Sequence, residues 1–426
     1  MIFKLKGEDA VTLSRREVLG WTAAAPLFAI GSRASAAAPV KIGGLYPLTG
    51  NSAGAGQECK AAIEVGQEIV NGAHPELAPI PLAATSGLPA LGNAPIETIF
   101  VDHRGDPALA QTEALRLITQ DRVAALIGSY QSNTALTATA VAERYGVPFV
   151  VSDSVAANIT GRGYKWTFRV TPIAPNFAAT YMRFLKEMKA AGRTINTIAI
   201  VAENTDYGSS VGDAIEAAAK TAGFPVAIRV RYSANSPDVS AEVLSLKAKN
   251  PDVVLFVSYT SDAILYMKTL HSLNWLPQMI IGDSAGFSDP SFVSSVGPLA
   301  QGVLNRSAWS LGKPDSLTAK VNALYKAKTG RDMSDASGRV MQAFIVLADA
   351  INRAESTDPG KIQAALQATD MPEKDLLVGY RGVKFDATGQ NDEGATYITQ
   401  LDGPDYTTVW PQDAAQAALR WPLKMS

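Results

Sequence analysis

The chain has 426 residues, of which 47% are hydrophobic and 18% charged, with a formal net charge of −2. That length gives two domains room to fold, and a near-neutral balance without a basic stripe excludes the electrostatic footprint of a nucleic-acid binder. A single cysteine, Cys59, excludes an intrachain disulfide, and three histidines without metal-ligand spacing leave no expected metal site or cofactor.

The longest apolar run, Val18 to Ile30, contains Trp21 and Pro26 and is too short for a membrane span of ~20 residues. "SRREVLG" (Ser14 to Gly20) sets paired arginines ahead of it, and "ASA" (Ala34 to Ala36) sets small residues behind it, the pattern of an export signal. The doublet Arg15–Arg16, with Val18 and Leu19, resembles the twin-arginine signal; an ordinary Sec signal holding two arginines is the other reading. Residues 1–38 are therefore assigned to a signal cleaved near Ala36 or Ala38, and the periplasm is the expected location. Cys59, in "GQECKAA", lacks the small apolar neighbours of a lipid-attachment box and reads as a small residue on a helix.

From Val40 onward, short β-rich runs alternate with helical spacing. "VKIGGLY", "IETIFVD", "VAALIG", "VPFVVS", "NTIAIVA", "PVAIRVRY", "DVVLFVS" and "QMIIGD" are apolar through their middles, as parallel strands covered on both faces must be. Between them, "DPALAQTEALRLITQD" (Asp106 to Asp121) carries one apolar stripe, with Pro107 in the first helical turn. This order predicts α/β sheets with right-handed crossovers. The stretch His74 to Pro95, with five prolines and two glycines, reads as an irregular surface excursion, more simply a decorated loop than a functional one. "FRVTPIAPNF" (Phe168 to Phe177) and "GVLNRSAW" (Gly302 to Trp309) suit crossovers between two domains. Ser316 to Thr369 reads as helices, and "LLVGYRGVKFD" and "ATYITQL" read as short strands.

Enzyme signatures are mostly missing. "GGLYPLTGNSAGAG" (Gly43 to Gly56) is a glycine-rich turn after a strand, without the G-K-[ST] ending or the G-x-G-x-x-G spacing of a nucleotide site. "DHRGDP" (Asp102 to Pro107) clusters acids, a histidine and an arginine, but Asp106–Pro107 reads more simply as a helix cap than as a metal site. In "ALIGSYQSNTA" a strand hands over to a helix at Gln131 and Ser132. Helix-terminal N–H groups and the dipole favour an anion there; Ser132 reads equally as the cap of its own helix. "VVSDSVAAN" (Val151 to Asn158) is the next strand's end and again turns small and polar, so Asp153 and Ser154 share that edge with Ser132. An anion site beside a carboxylate is how a zwitterion is held.

The succession "IGGLYPLTG", "DHRGDP", "ALIGSYQSNTA", "VPFVVSDSVAANITGRGYKWTFRVTP", "AIVAENTDYGSSVGDAI", "PDVVLFVSYTSDAILYMKTL" and "GVKFDATGQN" resembles the branched-chain amino-acid type of periplasmic binding protein, the solute receptors of ABC importers. The resemblance implies a type I fold: two Rossmann-like lobes with parallel central sheets, joined by three hinge crossings and closing over a ligand. It assigns 39–172 plus 306–378 to lobe 1 and 173–305 plus 379–426 to lobe 2. It further implies that Ser132 holds a ligand carboxylate and that Asp153, Ser154 and Val155 hold the amino group and backbone. Tyr207 and Tyr259 then close from the second lobe, with core packing the alternative for each. Val155 stands where leucine-binding relatives carry a threonine. Ser284 matches the position of their second-lobe glutamate, and the adjacent Asp283 is the residue able to replace it. Asp153 brings an acid where those relatives have a small residue, so the counter-charge for an ammonium group is expected to have moved there. The expected protein is a monomeric, non-enzymatic receptor delivering a small carboxylate-bearing solute, an amino acid or related amide, to an inner-membrane ABC permease. An aromatic acid as ligand, a sensor of the same fold, and an exported α/β enzyme are the alternatives.

Overall fold

The computed structural model describes residues 37–424, so the twin-arginine segment and Ala36 lie outside the described residues. The chain opens with the strand Val40–Tyr46 (β1), buried at every position but Lys41. It continues through Ala53–Asn71 (α1), Ile96–Asp102 (β2), Pro107–Thr119 (α2), Ala125–Gly128 (β3), Ser132–Tyr145 (α3), Phe149–Val151 (β4) and Thr167–Arg169 (β5). These five strands form one parallel sheet in the order β2-β1-β3-β4-β5. Period-two alternation sends Leu126 and Phe149 to the core beneath α2 and α3, and Ile127 and Val150 to the core shared with α1. Gly56, in the first turns of α1, is required by close approach: a Cβ there would lie 2.0 Å from the Pro47 carbonyl oxygen. Asp106 caps α2, accepting from the N–H groups of Ala108 (2.7 Å) and Leu109 (2.9 Å), so the capping reading of "DHRGDP" holds.

A second sheet is built from Ile198–Glu203 (β6), Val226–Tyr232 (β7), Val253–Val257 (β8), Met279–Gly282 (β9) and Leu304–Ser307 (β10), preceded by Ala174–Ala190 (α4). Its helices are Asp206–Ala222 (α5), Ser240–Lys249 (α6), Thr260–Ser272 (α7), Ala285–Ser288 (α8) and Pro290–Val296 (α9). Ile198, Ile200, Leu255 and Ile281 face one core, and Ala199, Val201, Phe256 and Ile280 the other. The chain then returns to the first sheet with Leu317–Thr329 (α10), Asp335–Ala354 (α11), Pro359–Gln367 (α12) and a small ladder of Asp370–Pro372 (β11) with Gly382–Lys384 (β12). It ends on Tyr397–Asp402 (β13) and Asp405–Trp410 (β14), antiparallel strands that complete the order β14-β13-β10-β9-β8-β6-β7. The architecture is thus two α/β lobes with largely parallel sheets and three crossings, as the resemblance implied.

Three expectations need correction. The second crossing does not fall at 305–306: β10 (Leu304–Ser307) pairs with β9 and β13 in the second sheet, so Arg306 belongs to the second lobe. The third crossing does not fall at 378–379: Val383 and Phe385 are buried in the first lobe's core, and Gln390 bridges to Arg169 on β5, so the chain leaves that lobe only between Asn391 and Tyr397. The excursion His74 to Pro95 is not mere decoration. Leu77, Ile80, Ala83 and Leu88 are buried in the core that contains α11, and Ala90 N–H donates to Asn352 Oδ1 at 3.0 Å. Among the described residues, no helix is long and apolar enough to cross a membrane.

Candidate ligand-binding site

The C-terminal ends of the parallel strands in both sheets supply the site, where open α/β sheets place their ligands. On the first lobe, β3 passes into α3 through Ser129–Gln131, and β4 passes into the turn Ser152–Ala156. Ser132 is the first residue of α3 and does not cap it: the cap position is Gln131, whose side chain makes no capping bond. The Ser132 Oγ accepts instead from Ala156 N–H at 3.2 Å, tying the two strand-end turns together. On the second lobe, Tyr207 stands in the first turn of α5, Tyr259 precedes α7, and Asp283 follows β9.

Six of the sequence-predicted residues, Ser132, Asp153, Val155, Tyr207, Tyr259 and Asp283, line one buried cavity of about 20 Å³. That is the space of about one water molecule. The other three turn away. Gln131 lies against Gly105. Ser154 Oγ donates back to the Ser129 carbonyl at 2.6 Å, and Ser284 Oγ donates to Asp335 at the start of α11. The adjacent Asp283 and Ser284 therefore point in different directions. The backbone at Ser284 (φ 51°, ψ −119°) and Ala285 (φ 37°) is strained for non-glycine residues, at a cost of roughly 1–3 kcal/mol each. This strained turn sits directly beneath Tyr259, since a Cβ on Gly286 would come 2.4 Å from the Tyr259 carbonyl carbon.

Tyr130, Ala285, Arg306 and Arg339 complete the wall, and none of them stood out in the sequence. The two arginines belong to a buried chain of alternating charge. Asp153 Oδ1 lies 2.5 Å from Arg339 Nη2, and that nitrogen lies 2.9 Å from Asp335 Oδ2. Asp335 Oδ2 is 3.4 Å from Arg306 Nη1, and Arg306 Nε donates to Asp283 Oδ1 at 3.1 Å. All five side chains are at most 4% exposed. The chain runs from lobe 1 (Asp153, Arg339, Asp335) to lobe 2 (Arg306, Asp283), with three carboxylates against two guanidinium groups.

Its two ends differ. Asp283 is well satisfied: Tyr181 Oη and Arg306 donate to Oδ1, and Tyr207 Oη donates to Oδ2 (3.0 Å) and to the backbone carbonyl (2.7 Å). At Asp153, Oδ1 is paired with Arg339 Nη2 alone, at 2.5 Å. Burial pushes the Asp153 carboxyl up to about 6, against the attraction of Arg339. Asp335 is held below the ordinary carboxylate range: its burial is outweighed by Arg339, Arg306 and the bonds from Ser284 and the Ala308 N–H. The Tyr130 hydroxyl is a buried polar atom at this cavity with no hydrogen-bond partner among the described residues. The Tyr259 ring stands between Tyr130 (centroids 5.6 Å apart) and Tyr207 (5.0 Å), and its own N–H is held by the buried Glu203 at 3.3 Å. Among the described residues, no cluster of histidine, cysteine or carboxylate side chains could hold a metal ion.

This arrangement can bind and enclose a small charged solute, and residues 39–406 match the model of the periplasmic binding protein family. The chain belongs to that family. It is a periplasmic solute-binding protein of the branched-chain amino-acid type, akin to receptors that bind a small ligand and interact with membrane permeases of ABC importers. The Leu/Ile/Val-binding protein homolog 8 of Brucella abortus is 32% identical over 91% of this chain and 94% of its own length. Among solved structures, the branched-chain amino acid transporter substrate-binding protein of Streptococcus pneumoniae, in complex with isoleucine, aligns with a TM-score of 0.74 at 18% identity, over 90% of this chain and all of that one. A solute-binding protein of R. palustris in complex with benzoate aligns with a TM-score of 0.73 at 15% identity, over 89% of this chain and 98% of that one. At such identities the structural likeness speaks for the fold.

Proposed function

We propose that this receptor binds a small zwitterion, an amino acid or a related amide bearing a carboxylate, and delivers it to an ABC permease. The observation that carries this reading is the charge inventory of the cavity wall. The contiguous chain of five buried charges is one negative charge in excess, and its end at Asp153 has Arg339 as its partner where Asp283 has three donors. An ammonium group on Asp153 balances the excess charge, and the carboxylate of the same molecule goes to the head of α3 beside Ser132, where helix-terminal N–H groups favour an anion. Asp283, already bonded by Tyr181, Tyr207 and Arg306, positions the tyrosines and Arg306 rather than the ligand.

Magnitudes support binding without chemistry. A micromolar receptor needs about 8 kcal/mol, and hydrogen bonds to charged groups contribute roughly 1.5–3 kcal/mol each. A few such bonds together with one buried apolar side chain reach that range after the entropic cost of association. With a cavity of about 20 Å³, entry requires the lobes to part or Tyr259 to move, and binding then favours the closed form that a permease reads.

A second reading, an aromatic acid, draws support from Tyr130, Tyr207 and Tyr259, whose rings line the cavity as a ready stacking surface. A thermal-shift screen of amino acids, amides, urea-like compounds and aromatic acids tests both. Stabilisation by a zwitterion is the expected result. A shift given by aromatic acids alone transfers the assignment to the second reading, and no shift across the set removes the ligand class. The periplasmic location, export by the twin-arginine route with cleavage near Ala36 or Ala38, and a monomeric state complete the proposal.

A further inference from the structure

The five-charge chain does more than line the cavity, because its members come from both lobes. Asp153, Asp335 and Arg339 belong to the first lobe; Arg306 and Asp283 belong to β10 and the end of β9 in the second. Parting the lobes separates Arg306 from Asp335 and Ser284 from Asp335, and it opens the wall around Asp153 to water. Bringing them together buries three carboxylates against two guanidinium groups, one negative charge in excess, with Asp153 at the end of the chain and Arg339 as its ion-pair partner. A buried charge in that condition is costly unless something positive joins it.

We propose that the chain Asp153–Arg339–Asp335–Arg306–Asp283 is a charge interlock on closure: the lobes come fully together only when a positive charge, an ammonium group or a proton, sits at Asp153. The empty receptor at neutral pH is thereby kept from presenting the closed shape to its permease. The inference rests on the receptor reading above in taking the lobes as able to part, but not on the identity of the ligand.

The surroundings of Asp153 single it out as the group that takes the proton. Tyr46 faces it from β1, Cys59 from α1, Tyr130 from the turn before α3 and Tyr259 from the head of α7, and burial pushes all four well above their ordinary values, so they stay neutral. Arg339 and Asp335 face it from α11 and Arg306 from β10. Arg339 and Arg306 are raised by their aspartates, and Asp335 is held low, so all three stay ionised. Arg169, on β5 behind the Ser154–Ala156 turn, spends its guanidinium on the Ser154 and Ala156 carbonyls, Thr160 and Gln390. Asp153 is raised to about 6 in the closed arrangement, whereas water around an open cleft returns it to ~3.9. The closed form therefore binds the extra proton more tightly. The proton's contribution to closure is complete below ~3.9 and disappears as pH rises through about 6.

Small-angle X-ray scattering of the purified, ligand-free protein tests this. Between pH 8 and pH 5 the closed-to-open ratio is expected to rise about tenfold, seen as a smaller radius of gyration at pH 5. Asp153→Asn, which carries no charge to compensate, is expected to be compact already at pH 8 and to lose the pH response. An identical radius for the wild type at both pH values overturns the interlock, and so does an Asp153→Asn variant, folded by circular dichroism, that scatters like wild type at pH 8. If the variant does not fold, the wild-type pH series still decides. No ligand is added, so a failed interlock leaves the receptor reading standing, and a failed ligand screen leaves the interlock standing.

Discussion

Ser132 links two turns as well as heading a helix, and the two roles separate experimentally. Ser132→Ala removes the acceptor of the Ala156 N–H and the hydroxyl beside the helix terminus. Affinity for the carboxylate ligand is expected to fall roughly tenfold by titration calorimetry, with a loss of about 1 kcal/mol in urea unfolding. Arg339 is a sharper case. Arg339→Met leaves Asp153 and Asp335 without their shared partner, and a loss of about 3–5 kcal/mol in stability is expected. The same charges give a measurement that tells ligand classes apart. A monoanionic aromatic acid adds a second excess negative charge, so its binding takes up close to one proton and tightens as pH falls from 8 to 6. A zwitterion brings its own positive charge and takes up none. Calorimetry at pH 7 in two buffers of different ionisation enthalpy reads the difference directly. The sequence made Ser132 and Asp153 visible because strand ends announce themselves by a change from apolar to small polar residues, whereas Tyr207, Tyr259 and Asp283 came into view only through the family resemblance. It could not show Arg306 and Arg339. "LNRSAW" reads as a crossing segment and "DASGRV" as a helix start, and the partner of Arg339 lies 186 residues earlier in the chain.

Among the elements, the parallel strands were legible because their apolar runs face cores on both sides, as Leu126 and Ile127 show by serving opposite faces. The edge strand Asp405–Trp410 was not, because it alternates weakly and its pairing with β13 depends on tertiary context. The excursion after α1 was misread for a related reason. Its prolines and glycines signal irregular backbone correctly, but irregular backbone can still bury apolar side chains, and no periodicity reveals which ones. Leu88 is fully buried there. Leu88→Ala is therefore expected to cost about 2–4 kcal/mol in chemical unfolding, whereas a decorative loop would lose less than ~0.5 kcal/mol.

For the whole molecule, ligand occupancy at a hundred times the dissociation constant is expected to add about 2.7 kcal/mol to stability. Because the cavity is walled by both lobes, hydrogen exchange should slow together at the head of α3 and at the β9–α8 turn; protection confined to one lobe would show that the ligand does not bridge them. The triple crossing has a further consequence, for how the chain can be made and cut. The first lobe receives Phe385 and Gln390 only after the whole of the second lobe's parallel sheet has been passed, and the second lobe receives β13 and β14 later still. On a ribosome, the first lobe cannot be completed before Gln390 has emerged, nor the second before Trp410. No contiguous fragment contains a whole lobe, and a truncation ahead of Tyr397 would leave the β10 edge bare as a template for wrong partners. A stable single lobe would have to be spliced from separated stretches of sequence.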